Sequence, residues 1–182
     1  MGVTSEGKVA VLTNYREKST DQAIGAQSRG AIVNSWLASP PGSRQKTHDF
    51  VQDLVSCSTL HAVGGFSLVC GYVDEPLAVV SNRSSDMDHI PWVATEQGQT
   101  RGLSNTTFDD RSWTKILNGE RLMREAIEAH AQSEEREDED ALIRRLLGVL
   151  STDTLPKLPE HASAAESIHL LRESIFIPII GA

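Results

Sequence analysis

A mixed α/β fold is what this sequence predicts, and three observations carry it. The stretch Lys8-Val9-Ala10-Val11-Leu12-Thr13-Asn14 is an apolar run of strand length bounded by turn residues. Phe66–Tyr72 and Leu77–Asn82 are two further runs on either side of a Val-Asp-Glu-Pro turn, which is the pattern of a hairpin. Elsewhere apolar residues recur at helical spacing, first at Ile32, Val33, Trp36 and Leu37. With 182 residues, 39% of them hydrophobic, the chain can bury one sizeable core, and a single domain over residues 1–182 is expected.

In chain order, Gly2–Gly7 reads as a turn leading into the first strand, which ends on Thr13, Asn14 and Tyr15. Asn14 at a strand end offers an amide donor and acceptor to a ligand carbonyl or oxyanion, or it simply starts the next turn, as Asn often does. Glu17–Gln22 is polar and reads as a surface loop. The helix through Trp36 is stopped by Pro40, Pro41 and Gly42. A second helix is expected over His48–Cys57, with Thr47 as N-cap, Asp49 in the first turn, and Phe50, Leu54 and Val51 buried. After the hairpin, closed by Asn82, Arg83 and Ser84, Trp92–Thr95 predicts a third short strand. Trp113–Ala131 carries Ile116, Leu117, Met123, Ala126 and Ile127 at helical spacing. Glu134–Asp140 holds six acidic residues and one Arg at the start of a last long helix, where carboxylates complement the helix dipole. Leu155–Pro159 reads as a linker, Ser163–Arg172 as a short helix, and Ser174–Ala182 as an apolar end. A chain that opens on a strand and stops on an apolar run is expected to be truncated at both ends.

The net charge of −8 argues against a nucleic-acid or anionic-membrane partner, both of which require a basic face. No stretch approaches the roughly 18 apolar residues of a membrane helix, and residues 1–30 lack secretory-signal order, so a cytoplasmic protein is expected. Cys57 and Cys70 are the two cysteines; they suit buried thiols in a reducing compartment, and neither has zinc-ligand spacing, so no metal is expected.

Several blocks occur in a distinctive order. Gly2, Gly7, Lys8, Ala10, Leu12, Thr13, Asn14 and Tyr15 come first, then Ser28-Arg29-Gly30 before a helix, and Gly65, Phe66 and Leu68 in a strand. Asn82-Arg83, Gly102-Leu103-Ser104-Asn105, and Trp113 with Lys115 follow. This order resembles the NRDE-motif family, that of the transport and Golgi organization 2 proteins, closely over residues 2–130 and loosely beyond. The family begins with Met-Cys and carries Asn-Arg-Asp-Glu after its first strand; this chain has neither. It also continues past the equivalent of Ile175, which again implies truncation.

The resemblance implies a partial four-layer α/β/β/α sandwich of the N-terminal-nucleophile hydrolase type. In such enzymes an N-terminal Cys, Ser or Thr attacks an amide and Asn groups stabilise the oxyanion. By that analogy Asn14 and Asn105 are oxyanion-like or ligand-orienting amides. No nucleophile carries over, because Gly2 follows Met1 and both cysteines are internal, so no catalytic residue is assigned. Arg29 and Arg83 are candidate clamps for a carboxylate or phosphate, or partners of acidic side chains. Tyr15, Trp92 and Trp113 are expected as core or pocket-wall aromatics.

The family's associations imply a non-catalytic role in Golgi organization and protein secretion, through secretory-pathway or membrane-trafficking partners or a small-molecule ligand. They also imply movement of haem, as cargo rather than cofactor, with association to Golgi or mitochondria. His48, His61, His89, His130, His161 and His169 are axial-ligand types only, and no haem-attachment motif is present. The alternative is a remnant of an amidohydrolase lacking its nucleophile. Missing strands would leave unpaired sheet edges prone to association.

Overall fold

The computed structural model describes residues 1–17, 19, 25, 28–38, 45–57, 60, 62–86, 89–155, 170 and 172–176. Two compact units divide the chain at Asp110, and each is described by itself. The first holds a five-stranded antiparallel sheet in chain order: β1 (Gly2–Val3), β2 (Lys8–Asn14), β3 (Phe66–Tyr72), β4 (Leu77–Ser81) and β5 (Trp92–Val93). Two helices, α1 (Gly30–Leu37) and α2 (Thr47–Ser56), occupy the connection from β2 to β3.

The register explains which side chains are buried. Ala10 faces Cys70, Leu12 faces Leu68, and on the next strand Leu68 faces Val80 and Cys70 faces Ala78. Because side chains alternate along a strand, these residues share one face, and they form a single core with Ile32 and Trp36 of α1 and Phe50 and Val51 of α2. Trp36 is fully buried, with its ring 5.0 Å from Phe50 and edge-on to Tyr72 at 5.5 Å, and its indole donates to Val9 O at 3.0 Å. On the opposite face Val9, Val11 and Val69 remain half-buried, and a polar row runs across the sheet through Thr13, Ser67 and Ser81.

Lys8 joins the core despite its charge. Its stem is buried, its Nζ donates to Trp36 O at 2.8 Å, and the ammonium lies 4.2 Å from the Trp36 ring. A cation at the last carbonyls of α1 complements the helix dipole and the face of the indole. Burial nevertheless pulls its pKa below 10.5, an effect the charge of Glu6 partly opposes.

The strands, α1 and the hairpin follow the expected pattern. The turn at residues 4–7 closes a two-residue β1 onto β2, with Gly2 opposite Ala10, a pairing the sequence pattern did not reveal. The second helix starts one residue earlier than expected. Lys46 is the N-cap, without a side-chain cap bond, so Thr47 is inside the helix and its buried hydroxyl has no partner among the described residues. Cys57 corrects the expectation of a buried thiol: α2 ends at Ser56, the chain turns extended, and Cys57 is exposed, whereas Cys70 is buried in β3. Beyond β5, Ala94 takes a left-handed φ of 57° and ends the edge strand.

The second unit contains α3 (Thr114–Ala131) and α4 (Glu139–Leu150), packed on each other. Asp138 caps α4 by accepting from the N–H groups of Asp140 and Ala141, and Glu139 and Asp140 occupy its first turn, so the acidic block extends into the turns before the helix. Buried Glu120 accepts from Arg111 at 2.8 Å. Pro40–Gly42, Pro156–Pro159 and most of both the expected last helix and the apolar end lie outside the described residues.

Candidate functional site

All five residues singled out in the sequence for a ligand site meet at one end of the sheet, around Gly64 and Gly65. Asn14 is the last residue of β2, and its register partner Phe66 is the first of β3, so both strands present their termini together. Asn105 reaches this point from the loop after β5: its Nδ2 donates to Asn14 O at 2.7 Å, and its own carbonyl accepts from Arg16 N at 2.8 Å. That loop is seated on the sheet by Thr13 Oγ1, which donates to Ser104 O at 3.0 Å, and by Ser67 Oγ, which donates to Thr106 O at 2.8 Å.

Gly65 is the common acceptor. Its carbonyl receives Tyr15 N at 2.9 Å and Arg29 Nε at 3.0 Å, and the same Nε lies 3.2 Å from Gly64 O. Arg29 is the N-cap residue of α1, so the start of that helix is tied to the strand entry. Arg83 reaches the cluster through Glu17. Its Nε and Nη2 approach Glu17 Oε1 at 2.8 and 2.7 Å, and its Nη1 donates to Asn82 O at 3.2 Å. The paired reading of Arg83 is therefore the one the structure bears out. The Glu17 side chain is only 8% exposed, and a buried carboxylate is tolerated because two guanidinium N–H groups meet it. A Cβ at position 65 would lie 2.3 Å from Glu17 Oε1 and 2.9 Å from Tyr15 Cβ, so only glycine lets the carboxylate and the β2 exit close on the β3 entry.

Asn82 holds this arrangement from below. It is buried, accepts from Phe66 N at 2.9 Å, and donates to Leu60 O and Val63 O at 3.1 Å each. With donors and acceptor all used, it is a structural clamp on residues 60–66. Asn14 differs: it is exposed, and its side-chain amide makes no hydrogen bond among the described residues. The cluster thus has a locked frame of Gly65, Glu17, Arg83, Arg29 and Asn82, with the Asn14 amide open at its rim.

Sequence reasoning found the five outer residues and missed Glu17 as a partner and Asn82 as a clamp. The signals were present: Gly64-Gly65 immediately before a strand marks close backbone approach, and Asn82 stands in a matched block beside Arg83. Tyr15 is half-buried, Trp113 buried and Trp92 partly exposed. His48 and His89 are exposed and His130 is buried in α3, whereas His61, His161 and His169 lie outside the described residues. Cys70, its thiol pushed up to about 12 by burial, stands within β3, four residues from the Phe66 end where the cluster lies. Among the described residues no group of three or more His, Cys, Asp or Glu side chains is placed to hold a metal ion, and no helix is long and apolar enough to cross a membrane.

Fold and site together define a mixed α/β protein whose polar cluster is assembled from the ends of neighbouring strands. The whole chain, residues 1–182, matches the model of the Transport and Golgi organisation 2 family, and the chain belongs to that family. It is 28% identical over 179 residues to a transport and Golgi organization protein 2 homolog from Bos taurus, covering 94% of this chain and 57% of that protein. A Mus musculus transport and Golgi organization 2 homolog is 30% identical over 164 residues, covering 89% and 53%. A Homo sapiens homolog is 29% identical over 173 residues, with the same coverage. The chain spans little more than half the length of these relatives.

Proposed function

We propose that the Asn14–Asn105 cluster is a ligand-binding site through which this chain acts by binding, in Golgi organization and protein secretion or in haem trafficking. The observation that carries this is the Asn14 side-chain amide, exposed and unengaged among the described residues at the end of a strand whose surroundings are hydrogen-bonded. An amide on a rigid strand end meets a carbonyl or carboxylate oxygen at little entropic cost. Binding is favoured over chemistry because the frame groups are paired, and Cys70, buried and poorly ionised, offers no thiolate to the cluster.

The same reading includes the four-layer sandwich. Helices α1 and α2 cover one face of the sheet, and the other carries the half-buried valines 9, 11 and 69, a surface suited to a second sheet.

Titrating the 15N-labelled chain with N-acetylglycine, which carries both an amide carbonyl and a carboxylate, tests the site. The Asn14 and Asn105 side-chain NH2 signals are expected to shift together, and Asn14→Ala to weaken binding about threefold or more. No saturable shift at either residue defeats the reading. Titration with haemin, followed in the Soret band, tests haem as cargo, and an unchanged band removes it. The alternative, a remnant of an amidohydrolase lacking its nucleophile, draws on the same two amides as oxyanion donors; it requires an oxyanion mimic such as methylphosphonate to bind more tightly than N-acetylglycine, a preference lost in Asn14→Ala.

A further inference from the structure

Given the binding role proposed for the Asn14 cluster, on which this step rests, we infer the chemical class of its ligand. The ligand presents a paired amide edge, an N–H and a C=O on the same side, as in a primary carboxamide or a lactam. A free carboxylate is the class this site selects against. Which polar groups the cluster has already used decides between them.

The guanidinium groups are committed to the frame. Arg83 gives Nε and Nη2 to Glu17 Oε1 and Nη1 to Asn82 O, and Arg29 Nε meets the carbonyls of Gly64 and Gly65. Asn105 Nδ2 donates to Asn14 O at 2.7 Å, while the backbone carbonyl of Asn105 accepts from Arg16 N. Both strand-end carbonyls, those of Asn14 and Gly65, are thereby occupied. Among the described residues, the whole Asn14 carboxamide and Asn105 Oδ1 make no hydrogen bond, and both residues are exposed.

An asparagine carboxamide carries its acceptor and a donor side by side in one plane, so it pairs twice with any ligand edge that has the complementary C=O and N–H. Asparagine reads the adenine edge in DNA by the same two-point contact. A carboxylate has acceptors alone: one oxygen can take the Asn14 Nδ2–H, and the other then faces Oδ1, lone pair against lone pair. An ester or ketone satisfies the donor and leaves the acceptor unmet. Asn105 Oδ1 is a further acceptor of the same cluster, available to the second N–H of a primary amide. The Asn14 backbone is already fixed by its place opposite Phe66 and by Asn105, so pairing has one side chain to order.

Three probes of similar size separate the classes: 2-pyrrolidinone, γ-butyrolactone, in which oxygen replaces the N–H of the same ring, and propionate. Each is titrated into the whole 15N-labelled chain, with the Asn14 and Asn105 side-chain NH2 signals followed by NMR. The lactam is expected to saturate and to bind about threefold or more tightly than either the lactone or propionate. Asn14→Ala, at an exposed position, should bring the lactam down to the affinity of the lactone. Equal affinity for lactam and lactone, propionate binding as tightly as the lactam, or a lactam preference that survives in Asn14→Ala overturns the amide-edge ligand while the cluster stands as a site for an oxygen acceptor. No saturable shift with any of the three or with N-acetylglycine defeats the binding role itself, and the amide edge with it.

Discussion

The two ends of strands β2, β3 and β4 solve opposite problems with the same backbone. At the Asn14 end, side chains and carbonyls pair, and the Asn14 amide has no partner among the described residues. At the Lys8 end, aromatic surface dominates, a charge is buried beneath it, and the Thr47 hydroxyl is buried without a partner among the described residues. A polar cluster in a low-dielectric setting is stable only when complete, so the first end is rigid by satisfaction. The second end carries a buried hydroxyl without a partner among the described residues, a cost the first end avoids at its frame.

Replacement of Asn82 should show the contrast most strongly. Asn82→Leu leaves Phe66 N, Leu60 O and Val63 O without their partner, and a loss of about 3 kcal/mol is expected in urea denaturation. A loss below about 1 kcal/mol would mean the polar end is not held by this clamp. The next effect has the opposite sign: Thr47→Val removes an unsatisfied hydroxyl from the other end and should gain about 1 kcal/mol in the ligand-free chain by the same measurement. A net loss there would show that the hydroxyl is already satisfied and would erase the difference between the two ends.

The smallest effect is the response to pH at Lys8. Its folded pKa lies below 10.5, so between the folded and unfolded values the unfolded chain holds more protons, and stability rises with pH. Urea midpoints followed from neutral pH to pH 10.5 should therefore show an upward component in the native chain that Lys8→Met lacks. Identical slopes would place the ammonium in a solvated setting.

The strands and α1 were legible in the sequence because their apolar periods are long and bounded by Gly, Pro or Asn. The β1 pairing was not, since two residues carry no period. The start of α2 was shifted by one because Thr satisfies the N-cap preference, while the packing of Phe50 and Val51 draws the helix one residue further back and buries Thr47. The outer residues of the candidate site were visible as Asn and Arg at strand and helix ends. Their convergence was not, because it depends on Glu17 closing against Gly65, a contact between residues 48 positions apart that no local pattern encodes.

The turn at Ala94 has a consequence for the molecule among its neighbours. By leaving the strand direction there, the chain limits β5 to Trp92 and Val93, so the outer ladder offers an approaching strand only two residues of backbone. That is a short template for strand addition at this edge, and its length is set at a single left-handed residue. Strain at one alanine thereby shortens the backbone that this edge presents to an approaching strand.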